Sequence, residues 1–118
     1  MTYQKRIGKK GEEFAAKFLA DIGYEIIENN FYSRYGEIDI VAQKSGVVVF
    51  VEVKTRTNQT FGAPEESITP SKLDRIQKAG LMWLQAHPES PDDWRIEVVS
   101  LLLNKQHSIL DIQHFIDT

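Results

Sequence analysis

The chain has 118 residues, 42% of them hydrophobic and 26% charged, which suits a single domain over residues 1–118 with a core of its own. It contains no cysteine, so disulfides and thiolate-bound zinc or iron–sulfur sites are excluded. Lys and Arg number 14 against 17 Asp and Glu, a net charge of −3 that gives no global attraction to polyanions; the acidic excess lies in the C-terminal third, so a polyanion would be met by the N-terminal part.

The opening segment is basic and then amphipathic, without the continuous apolar stretch of a signal peptide, and the longest strongly apolar run, Val47 to Val51, is too short to span a bilayer. A cytoplasmic protein with no membrane partner is expected. A first helix is predicted from about Gly8 to Ile22, where Phe14, Ala15, Phe18, Leu19 and Ile22 recur at helical spacing and Gly23 supplies a stop. Tyr24 to Phe31 reads as a strand that weakens at Asn29 and Asn30. Gly36–Gln43 and Val47–Thr55 are the strongest strand signals, joined by a tight turn at Lys44, Ser45 and Gly46.

Thr57 to Pro64 reads as a loop. A second helix is predicted over Pro70–Ala86, with Leu73, Ile76, Gly80, Trp83 and Leu84 on one face and Lys72, Arg75 and Lys78 on another. Two strands, Trp94–Leu103 and His107–Phe115, follow a Pro-containing loop. The order α-β-β-β-α-β-β predicts an α/β fold with a mixed sheet flanked by helices.

The chemistry concentrates in the hairpin. Glu52 and Lys54 project from one side of their strand, the side Val48 and Phe50 also occupy, and Glu37, Asp39 and Val41 share a side of the preceding one. Charges placed among core positions are costly unless paired, hydrated or bound to metal. A lone Glu-x-Lys is ordinarily a surface ion pair, but joined to Asp39 it offers two hard oxygen ligands and one ammonium. Metal-assisted phosphodiester cleavage requires that combination.

Gly36-Glu37-Ile38-Asp39 followed by Phe50-Val51-Glu52-Val53-Lys54 resembles the active-site hairpin of the PD-(D/E)XK, restriction endonuclease-like nucleases. The likeness is closest to the YraN-like family of small bacterial proteins. It extends over most of the chain, through Gly11-Glu12 with Ala15 and Leu19, Gly23-Tyr24, Asn30, Thr55-Arg56, Gly62, Lys72 and the segment Arg95 to Val99. Ile38 stands where the superfamily motif has Pro, and Glu97 where the family's late strand has Asp. The resemblance implies Asp39 and Glu52 as ligands of Mg²⁺ or Mn²⁺ and the Val53 carbonyl as a further ligand. It implies Lys54 as the catalytic lysine and Glu12 as an extra carboxylate, as in Holliday-junction resolvases of related fold. Glu37 is an accessory candidate, as ligand, as partner of Lys54 or in a structural salt bridge.

Arg56, Lys72 and Arg75 flank the hairpin and are candidates to line a nucleic-acid groove. Lys5, Arg6, Lys9 and Lys10 either contact phosphates or merely solubilise the terminus. Tyr32, Tyr35 and Phe61 are candidates for base stacking, whereas Trp83 suits the core. The three histidines have no metal-ligand spacing. The leading expectation is a Mg²⁺- or Mn²⁺-dependent nuclease acting on DNA of branched or distorted structure, where a symmetric homodimer would present two sites to two strands. The alternatives are a noncatalytic nucleic-acid-binding module and a protein-interaction domain of a repair or replication complex.

Overall fold

The computed structural model describes residues 2–57 and 69–116. Helix α1 (Tyr3–Asp21) leads into β1 (Glu25–Ser33), β2 (Gly36–Lys44) and β3 (Val47–Thr57); α2 (Pro70–Ala86) then precedes β4 (Trp94–Leu103) and β5 (Ile109–Ile116). The order α-β-β-β-α-β-β expected from the sequence is the one observed. Most of the expected 57–64 loop, with Phe61 and Gly62, lies outside the described residues.

The strands form one sheet in the order β1-β2-β3-β4-β5. Strands β1, β2 and β3 are an antiparallel meander, β3 and β4 run parallel, and β5 returns antiparallel at the edge. The parallel pair needs a crossover, which places α2 on the face opposite α1. The β2–β3 turn closes on Lys44↔Val47, with Ser45 and Gly46 at φ 52° and 77°. Two consecutive left-handed residues suit the twist of a tight hairpin.

Alternation along the central strands divides the core into two layers. On the α1 side Ile7, Ala15 and Leu19 pack on Ile40, Val49, Val51 and Leu101; on the α2 side Ile76, Ala79 and Trp83 pack on Val41, Val48 and Phe50. Full burial of such a side chain stabilises by roughly 1.5–3 kcal/mol. Both helices sit close to the sheet through a glycine. A Cβ on Gly11 would fall inside the Thr55 side chain, and one on Gly80 would lie 2.6 Å from the Phe50 ring.

Four element ends differ from expectation by two residues or more: the start of α1, the end of β1, the end of β3 (Thr57 rather than Thr55) and the start of β5. Helix α1 begins at Tyr3 rather than near Gly8, because the Thr2 hydroxyl accepts the Lys5 N–H and buried Ile7 extends the apolar stripe. Lys5, Arg6, Lys9 and Lys10 are therefore helical. Strand β1 continues past Asn30 to Ser33. Strand β5 starts at Ile109 because the Asn104 side chain accepts the N–H groups of Gln106 and Ser108, leaving His107 in a turn at φ 63°.

Candidate metal and nucleic-acid site

The site forms where the central hairpin comes apart. Strands β2 and β3 are paired from Lys44↔Val47 to Ile40↔Val51. One residue beyond that last rung, Asp39 accepts the Val53 N–H through Oδ2 at 2.8 Å, a side chain substituting for a strand carbonyl. The facing of β2 also changes there: Ile38 packs in the α2 layer with Val41, whereas Ile40 packs in the α1 layer. Simple alternation, which would have put Glu37, Asp39 and Val41 on one side, therefore fails across Asp39.

This irregularity gathers carboxylates. Oxygens of Glu12 on α1 and of Glu37 and Asp39 on β2 lie within 4.8 Å of one another. Asp39 is buried, with 8% of its surface exposed, while Glu12 and Glu37 are half-buried. Burial, reinforced by the neighbouring carboxyls of Glu37 and Glu52, pushes the Asp39 carboxyl up to about 10, against the pull of the Val53 N–H. Glu12 is raised too, by burial first and by the charges of Glu37 and Glu52, with the Asn30 amide and Lys9 opposing. The Asn30 amide donates to Glu12 at 2.8 Å and to Glu37 at 3.3 Å.

Glu52 adjoins this group through Asp39, and Lys54 Nζ lies 3.7 Å from Glu52 Oε2. Lys72, on the first turn of α2, comes beside the same pair. The Lys54 ammonium, burial and Arg75 lower its pKa, and Glu52 opposes them. Two ammonium groups thus converge next to four carboxylates. The pairing of Lys54 with Lys72 was not legible from the sequence, since it depends on how the crossover lays α2 on the sheet.

The other candidates separate. Lys5 and Lys9 line a cleft with Glu12, Asn30, Tyr32 and Glu37. Lys10 is exposed on α1 and is not among the residues lining that cleft. Arg75 lies along the β1–β2 turn, its aliphatic carbons 3.4–3.6 Å from where a Gly36 Cβ would stand. Arg56 is half-buried near the start of α1, lining a second cleft with Tyr3, Gln4, Ile7 and Thr55. Arg56 does not line the cleft of Lys9 and Glu12, so it is not brought together with them. Tyr32 is 72% exposed at the cleft, and Tyr35 packs against the α2-side core beneath Arg34.

Glu97 is fully buried away from these groups. It accepts from Tyr24 at 2.8 Å, lies 2.6 Å from His114 Nε2 and pairs with Arg95, so its charge is spent on structure. Trp83 is core, with its indole N–H donated to Glu28 at 3.0 Å. His87 stacks on Trp83, away from the carboxylates.

The donor set fits a divalent ion of the Mg²⁺ or Mn²⁺ kind: clustered carboxylate oxygens on three separate elements, partly buried and short of neutralising charge. No helix among the described residues is long and apolar enough to cross a membrane. Fold and site together define an α/β domain, a five-stranded mixed sheet with two helices, that carries a carboxylate cluster at the parted end of its central hairpin. The particular family follows from comparison of sequences. Residues 11–101 match the uncharacterised protein family UPF0102, and the chain belongs to it. It is 42% identical to a UPF0102 protein of Syntrophomonas wolfei over 96% of both chains. Against its counterpart from Sulfurihydrogenibium the identity is 44%, over 83% of this chain and 85% of the other. A Dictyoglomus thermophilum member is 38% identical over 96% of both. The YraN-like resemblance is borne out at the level of family.

Proposed function

We propose that this protein is a divalent-cation-dependent nuclease that hydrolyses phosphodiester bonds in nucleic acid, with branched or otherwise distorted DNA as its substrate. The observation that carries this reading is the convergence of Glu12, Glu37 and Asp39 at the end of the hairpin, with Glu52, Lys54 and Lys72 alongside. Carboxyl groups crowded together and partly buried in this way are expensive in a purely structural role and are the usual dress of a reactive site. The resemblance of the hairpin to PD-(D/E)XK nucleases supports the choice of phosphodiester chemistry, and the preference for distorted DNA rests on analogy of fold.

In this reading Asp39, Glu52 and the Val53 carbonyl hold the ion, with Glu12 and Glu37 beside them. The bound cation would polarise the scissile phosphate and acidify a water molecule. Lys54, oriented by Glu52, positions the attacking water and stabilises the charge that develops on the phosphoryl oxygens. Lys72 and Arg75 receive the flanking phosphates from the α2 side, and Lys9 from the α1 side. Arg56 and Lys10 extend the basic surroundings outward.

The test is incubation with linear, flapped and four-way DNA in Mg²⁺ or Mn²⁺, alongside Lys54→Met. Wild type should cut at least one substrate. Lys54→Met should bind it with similar affinity and cut it slower by orders of magnitude. Binding without cleavage by wild type would replace the enzyme with a noncatalytic nucleic-acid-binding module.

A further inference from the structure

Asn30 occupies a position that neither strand pairing nor packing explains. It lies between the rungs Asn29↔Ile40 and Phe31↔Ile38, across from Asp39. Its φ is 57°, in the left-handed region that is uncommon inside a strand, although Asn enters it more easily than most residues. The conformation delivers the side chain to the carboxylates. One amide nitrogen carries two protons, and it meets two acceptors: Glu12 Oε1 at 2.8 Å and Glu37 Oε1 at 3.3 Å. The reverse orientation of the amide would aim a carbonyl oxygen at both, so the charges themselves fix it.

We propose that Asn30 is a positioning residue that acts as a neutral stand-in for the cation, tying Glu12 on α1 to Glu37 on β2 while the site holds no ion. The proposal rests on the metal-site reading above and adds a role for a residue outside the ligand set. Two anions brought together without a counter-charge repel. A shared amide offsets part of that repulsion without adding a charge that would compete with a divalent ion. The consequence is a thermodynamic signature: losing the amide weakens the ion-free fold and leaves the ion-bound fold nearly untouched. By linkage the ion must then bind the variant more tightly.

Thermal unfolding in EDTA and in saturating Mn²⁺, with calorimetric titration of Mn²⁺, tests this on wild type, Asn30→Gly and Asn30→Asp. Glycine keeps the positive φ and deletes the amide; aspartate keeps the shape and replaces two donors with acceptors. Both variants should melt about 4–8 °C lower than wild type in EDTA, the scale of one lost charge-assisted hydrogen bond in a domain of this size. In Mn²⁺ the deficit should shrink to less than half, with the Mn²⁺ dissociation constant lower than wild type by about five- to tenfold. In a Glu12→Gln background, Asn30→Gly should cost less in EDTA than it does alone. A deficit equal in EDTA and Mn²⁺ would overturn the proposal and leave Asn30 a backbone residue, with the metal-site reading intact. A wild type whose melting is indifferent to Mn²⁺ would instead remove the metal-site reading, and the stand-in role with it.

Discussion

Replacing Asp39 with Asn should change how stability responds to pH, and the sign is fixed by the site. In the ion-free fold, burial and the neighbouring carboxyls of Glu37 and Glu52 push the Asp39 carboxyl up to about 10, whereas its ordinary value is 3.8. Between those limits the folded protein retains a proton that the unfolded chain has released. Stability therefore falls as pH rises through that window. One proton of difference corresponds to at most ~1.4 kcal/mol per pH unit, or roughly 4–8 °C of Tm per unit for a domain near this size. The slope depends on the proton count and not on where in the window the upper limit lies. Asparagine is neutral throughout and still offers an oxygen to the Val53 N–H, so Asp39→Asn should flatten this component without collapsing the hairpin. The assay is Tm in EDTA from pH 5.5 to 8 for both proteins, read as the difference between them, so that the histidines cancel. Saturating Mn²⁺ should lessen or reverse the wild-type slope, because a cation competes with the proton. Identical slopes for wild type and Asp39→Asn in EDTA would refute the reasoning.

Other perturbations probe the surroundings of the site. Gly11→Ala should destabilise by about 1–3 kcal/mol in urea, because the new Cβ drives α1 off Thr55 and carries Glu12 with it. Glu97→Ala should cost about 3–5 kcal/mol by the same measurement, since it strands Arg95 and removes the shared acceptor of Tyr24 and His114, while Mn²⁺ binding stays at the wild-type value. Lys72→Ala should weaken DNA binding in Ca²⁺ and lower the magnitude of its log–log salt slope by about one, as should Arg75→Ala, with far-UV circular dichroism unchanged.

Much of this architecture was legible because it obeys period and punctuation. The apolar stripe of α2, its Pro at the first turn, and the β-branched run from Val47 to Val51 each specify an element without tertiary help. The bounds of α2 and β4 agree with expectation. Two of the misplaced ends are those where one side chain decides: Thr2 capping α1, and Asn104 delaying β5. At the site, Asp39, Glu52, Lys54 and Glu12 were marked by residue type and family likeness, and the fold brings them close. Glu37 was marked as an accessory candidate on the side of Asp39, and the fold brings the two together; the grouping with Val41 fails, because alternation along β2 breaks at Asp39, where the hairpin parts. Asn30 read as a strand-weakening residue. Its positive φ is instead what turns its amide onto Glu12 and Glu37. Lys72 beside Lys54 depends on the path of the crossover, which local sequence does not encode.

Calorimetric titration of Mn²⁺ at neutral pH addresses the central claim most directly. Wild type should bind one ion at the hairpin, and Asp39→Asn should abolish that binding, with Glu12→Gln, Glu37→Gln and Glu52→Gln each weakening it. A wild type that takes up no ion, or an affinity unchanged in all four variants, would contradict a divalent-cation site built from these carboxylates.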